Sequence, residues 1–156
     1  MSDDSIIRKI AEFIPGYGGY LEQEDRRRDD RLTREFLVRR ITNCKHNLDD
    51  IGKQAIAAGD IELPAKLQPL HDKLDLAQSR LASAVEGYAG WFNDRKVDAD
   101  VLAEVAELDA GLVSLVDQLD ELADDWSIER AGDFRDGLQQ LHKQLDCRNT
   151  ILKAGS

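Results

Sequence analysis

The chain has 156 residues, of which 33% are charged and only 6% aromatic, and its formal net charge is −10. A chain of this length buries about 70% of the surface it would expose unfolded, so one folded domain over 1–156 is expected and disorder of the whole is disfavoured. Leucine and alanine supply 36 residues while strand-favouring β-branched and aromatic types are few, which argues against an all-β fold.

The first element is a short amphipathic helix, with Ile6, Ile7, Ile10, Phe13 and Ile14 on one side and Arg8, Lys9 and Glu12 on the other. The sequence opens on Ser2, Asp3, Asp4 and Ser5 instead of a basic and apolar leader. No apolar run approaches the roughly 18 to 20 residues that cross a bilayer, so a cytoplasmic location is expected. A peripheral membrane adaptor using this helix as an in-plane anchor is the second reading, and with only Arg8 and Lys9 nearby such binding would be weak.

Pro15 stops the helix, and Gly16, Tyr17, Gly18 and Gly19 follow as a turn. These glycines follow no strand and lack the Lys and Ser/Thr of a phosphate loop, so their use is backbone freedom. Ile14 to Tyr20, followed by Glu22, Glu24, Asp25, Arg26, Arg27 and Asp30, resembles a pattern in small bacterial all-helical proteins without an assigned activity. The resemblance covers residues 13 to 40 and implies a bacterial origin and an N-terminal signature; it implies no activity and no binding residue.

Tyr20 and Leu21 open the second predicted helix, over 20–57, whose buried face reads Leu37, Ile41, Cys44, Leu48, Ile51 and Ala55. If continuous it is ~57 Å long, against ~38 Å for partners of about 25 residues. Its first half therefore overhangs, to be covered by the first helix folded back across Pro15 to Gly19 or by a second molecule. That half carries Arg26, Arg27, Arg28, Arg31, Arg34, Arg39 and Arg40, interrupted by Asp29, Asp30 and Glu35, which makes a poor phosphate-binding pattern.

A third helix over 64–88 starts on Pro64 and carries Leu67, Leu70, Leu74, Ala77, Leu81, Ala84 and Tyr88 on one face, with Gly87 and Gly90 ending it. Pro69 lies inside it and is expected to kink the helix or delay its start. The fourth helix, over 98–125 and capped by Asp98, has the stripe Leu102, Val105, Leu108, Leu112, Leu115, Leu119, Leu122 and Trp126. Residues 98–127 hold ten acids and no base, which is the whole net charge of the chain. These acids are expected mostly to face solvent, where their field repels nucleic acid and anionic lipid. The fifth helix, over 128–152 and capped by Ser127, has Phe134, Leu138, Leu141, Leu145 and, past the polar Arg148, Leu152. Gly132 and Gly137 weaken its start.

The pattern predicts an all-α protein: residues 1–19 as helix and Gly/Tyr turn, residues 20–152 as an antiparallel four-helix bundle, and residues 153–156 as a tail. For chemistry the bundle offers little. Asn43, Gln68 and Gln139 stand three residues before His46, His71 and His142, where a di-iron centre needs glutamates. There is no Cys-x-x-Cys-His for haem attachment. A metal or redox bundle built on Cys44, His46, His142 and Cys147 is the third reading. Bundle register separates Cys44 from Cys147 by roughly 10 Å of helix rise, beyond disulfide reach. No nucleophile elbow is present. The sequence thus points to a protein without catalysis, metal or other cofactor, and to a cytoplasmic interaction or assembly module. Its expected contact residues are Ile10, Phe13, Tyr17, Tyr20, Arg26, Arg27, Arg28, Arg31 and Arg34, engaging another protein or a second copy, with no nucleic acid.

Overall fold

The computed structural model describes residues 3–83 and 97–154, and every regular element among them is helical. Five α-helices follow in order: α1 (Asp3–Phe13), α2 (Arg26–Ala57), α3 (Glu62–Ala82), α4 (Ala99–Asp124) and α5 (Ala131–Ala154). Short 3-10 turns precede α2 and α5, at Gln23–Asp25 and Ile128–Arg130. Helix α2 packs on α3 and α4, α5 packs on the same two helices, and α1 lies on α4. Among the described residues no helix is long and apolar enough to cross a membrane. The expected continuation of the third helix through Ala84 and Tyr88, with its Gly87 and Gly90 stop, lies outside the described residues.

The three-and-four spacing of apolar residues produces the core. Leu37, Ile41, Cys44 and Leu48 of α2 are at most 2% exposed, and Leu74, Val105, Leu112, Phe134, Leu138 and Leu141 are fully buried. The expected punctuation is largely present. Gly59 adopts φ +85°, the Asp60 N–H reaches back to the Ala55 carbonyl, and the Asp60 carboxylate accepts the N–H groups of Glu62 and Leu63 at the start of α3. Asp98 caps α4 by accepting from the Asp100 N–H. Two expectations need correction. Helix α3 starts at Glu62, ahead of both Pro64 and Pro69, so of the two outcomes expected at Pro69 the delayed start does not occur. Ser127 precedes the 3-10 turn, to which its side chain gives no capping bond, and α5 begins only at Ala131.

The largest difference is at the start of α2. Gly19 and Tyr20 both adopt φ +65°, which a right-handed helix excludes, so the turn extends past residue 20 and α2 starts at Arg26. The helix is therefore ~48 Å long, and its overhang is covered from within. Ile6, Ile10 and Ile14 of the N-terminal segment are buried, with Ile10 1% exposed, while Phe13 stays 44% exposed and packs edge-on against Phe36. In this state the apolar face expected of a membrane anchor is spent on the fold.

Candidate functional site

The feature that stands out from the core is a set of ionisable side chains buried where the N-terminal turn meets α2, α4 and α5. Asp29, Asp30 and Asp109 are each at most 1% exposed, and Arg26, Arg34 and Arg148 at most 8%. Three carboxylates thus face three guanidinium groups, so the cluster is neutral as a whole.

Asp109 is its centre. One carboxylate oxygen accepts the hydroxyls of Tyr17 at 2.8 Å and Tyr20 at 2.6 Å; the other accepts Arg148 Nε at 2.8 Å. Arg148 then donates through Nη2 to the Tyr20 hydroxyl and to Asp30, both at 2.8 Å. Arg34 closes the chain, donating from Nε to Asp30 at 2.8 Å and from Nη1 to the Leu81 carbonyl at the end of α3. The two tyrosine rings meet edge to face at 5.9 Å.

The backbone of the turn is held by a second carboxylate. Asp29 accepts the N–H groups of Gly18 and Tyr20, and Arg26 Nε donates to the Tyr20 carbonyl. This seats Tyr20 in its left-handed conformation, which an L-residue otherwise avoids. Gly19 is required beside it: a Cβ there would lie 2.6 Å from Ile7 Cδ1, at a backbone angle that also favours glycine.

Burial controls the protonation states. Desolvation, reinforced by the adjacent Asp109 charge, pushes the Tyr17 phenol far above its usual value. Tyr20 is raised in the same direction by desolvation, against the opposing Arg148 charge. For Arg148, burial works against the charged form, but the Tyr20 oxygen and the Asp109 and Asp30 carboxylates outweigh it and hold the guanidinium ionised. Desolvation also raises the Asp29 carboxyl, with the Tyr20 and Gly18 N–H bonds opposing. At neutral pH both phenols are therefore proton donors to Asp109, and the geometry is that of a clasp: it ties residues 17 and 20 to helices that begin some 80 to 110 positions later in the chain.

The expected contact residues divide accordingly. Ile10, Tyr17, Tyr20, Arg26 and Arg34 are buried within the chain, which corrects their reading as a free contact surface; Phe13, Arg27, Arg28 and Arg31 are exposed. Arg40, the last arginine of the half expected to overhang, pairs with Asp117 and Asp120 of α4. The acidic helix is corrected too: Asp109 and Asp120 are buried, the latter accepting from Asn43 and Asn47. Asp98, Asp100, Glu104, Glu107, Glu121, Asp124 and Asp125 face solvent as expected.

The sulfur and imidazole groups are dispersed. Cys44 is buried, its Sγ 3.7 Å from the Leu119 carbonyl, and burial together with Asp120 pushes its thiol up to about 12; Cys147 is exposed, and both are free. His142 contacts Arg80 and the Lys73 carbonyl. Among the described residues, the ligating atoms of His71, Asp72 and Asp75 are the one such grouping within 4.8 Å of one another, and Asp75 already pairs with Lys45. The pattern that could have revealed the clasp was in the sequence. Arg148 continues the buried series Leu138, Leu141, Leu145, and Asp109 continues Leu102, Val105, so opposite charges occupy core positions on two helices. No family model, curated protein or solved structure matches the chain.

Proposed function

We propose that the chain is a non-catalytic helical interaction module of the cytoplasm, of bacterial origin, built as an antiparallel four-helix bundle with its N-terminal segment clasped across one end. The bundle reading is supported by register. Early residues of α2 meet late residues of α3, as Arg34 does at Leu81, while His71 pairs with Asp49 near the other end. Likewise Arg148 near the end of α5 meets Asp109 early in α4.

The observation that carries the functional reading is the clasp at Asp109. It takes up the buried tyrosines and arginines in internal bonds, so of the expected contact residues Phe13, Arg27, Arg28 and Arg31 face solvent, with Arg28 also bonded to the Gly16 carbonyl and close to Asp25, and Arg31 close to Glu35. A solvent-facing aromatic and three solvent-facing arginines suit a protein contact, in which the apolar group holds and the charges steer. A second copy, with its solvent-facing acids on α4, has the complementary charge.

Light scattering at low and at about 0.5 M salt tests this. The intact chain should associate at low salt and dissociate at high salt, and Arg27→Glu/Arg28→Glu/Arg31→Glu should remain monomeric in both. A strict monomer of the intact chain at high protein concentration and low salt contradicts self-association, and cross-linking to a separate partner that survives the triple substitution contradicts the surface itself.

A further inference from the structure

A groove at the opposite end of the helices carries a different chemistry. It has a volume of about 510 Å³, within the range of small-molecule sites, and lies between α3, α5 and the connection from α4. Leu63 and Leu70 line it from α3, and Trp126 and Ile128 from the connection. Trp126 is braced by Phe134, edge to face at 5.8 Å, which fixes the ring as part of a rigid wall. Ile128 is 65% exposed, an apolar side chain left in water at the mouth of an apolar cavity.

The polar part of the lining is cationic. Lys66 and Arg135 complete it, no acid contributes to it, and neither cation forms an ion pair among the described residues. In a chain of net charge −10 this is a local reversal of sign. An apolar cavity with a braced indole and two cations is complementary to a molecule with an apolar body and an anionic head, the guanidinium being suited to a carboxylate fork. The surroundings select a single molecule over a membrane. Glu62, Asp124, Asp125, Glu129 and Asp133 on the neighbouring turns face solvent, and together they would repel an anionic bilayer.

We propose that this groove is a binding site for a soluble anionic amphiphile, a carboxylate carrying a hydrocarbon or aromatic body. Recognition divides between Lys66 and Arg135 for the head and Trp126, Ile128 and the α3 leucines for the body. The site is independent of the surface at Phe13.

Titration of the intact chain with decanoate and with decyltrimethylammonium, both kept below micelle formation, tests the proposal by calorimetry and by the indole N–H signal of Trp126, assigned by its loss in Trp126→Phe. Decanoate should bind and move that signal, and the cation of equal chain length should not. Lys66→Glu/Arg135→Glu should weaken decanoate by at least about tenfold while leaving the unfolding midpoint unchanged, since both side chains are exposed. Ile128→Ser should weaken it less. Equal binding of the two amphiphiles, decanoate binding that leaves Trp126 unmoved or survives the double substitution, or preferential binding to anionic phospholipid vesicles, would each overturn it.

Discussion

Burying Tyr17, Tyr20, Asp109 and Arg148 together has a direct consequence for single substitutions. The Coulomb attraction within a buried pair roughly offsets the cost of desolvating it, so the pair adds little net stability, yet removing one member leaves the other buried and uncompensated. Arg148→Met should therefore destabilise the chain by about 3 to 5 kcal/mol in urea unfolding, because Asp109 and Asp30 both lose their shared donor. The same burial fixes a pH dependence. Tyr17 and Tyr20 have folded pKa values raised above the unfolded value near 10. Below that value neither state loses the protons and the contribution to stability is fully present. As pH rises past it, the unfolded chain releases protons that the folded chain retains, and stability falls. Spectrophotometric titration should accordingly show these two phenols ionising only together with loss of far-ultraviolet helix signal. At the thiols, the buried and raised Cys44 and the exposed Cys147 should separate cleanly: alkylation of the native protein modifies Cys147 alone.

Within the helices, the buried leucine faces follow from spacing alone, because three-and-four periodicity turns a sequence stripe into a surface that only other helices can cover. What spacing did not reveal was where backbone conformation departs from it. The second helix read as starting at residue 20, since Tyr20 and Leu21 fit the apolar pattern. The left-handed turn at Gly19 and Tyr20 depends on Asp29 and Arg26 holding their backbone, and no local propensity encodes that. The glycines of α5 show the same division. A Cβ at Gly132 meets nothing within 4 Å, whereas one at Gly137 would come within 2.8 Å of Leu119. Gly132→Ala should stabilise the protein by about 1 kcal/mol, the ordinary gain in helix propensity. Gly137→Ala should gain less or destabilise, because Leu119 is closely packed; thermal melts of the two variants make the comparison.

Across the whole molecule, the clasp explains how a segment of little more than twenty residues belongs to the fold. Helix α1 buries Ile6 and Ile10, and Ile14 just after it is buried too, but its position is specified by the tyrosines that follow it, bonded to an acid of α4 and an arginine of α5. Arg148 interrupts the apolar series of the fifth helix visibly in the sequence, whereas Asp109, also a core residue, stands among ten acids beside an unbroken stripe. Their pairing was not legible, because the apolar stripe of the fourth helix ran equally well through Leu108, and because facing registers emerge only from packing. A neutral buried cluster of this kind defines one arrangement of the chain more than it strengthens it.

A double-mutant cycle between Tyr20→Phe and Arg148→Met tests that claim most directly, since the two residues lie 128 positions apart and meet only through the clasp. Urea unfolding of the four proteins should give a coupling energy of about 1 to 3 kcal/mol, the range for residues sharing one network. Additive effects within about 0.5 kcal/mol, as for independent sites, would contradict the clasp.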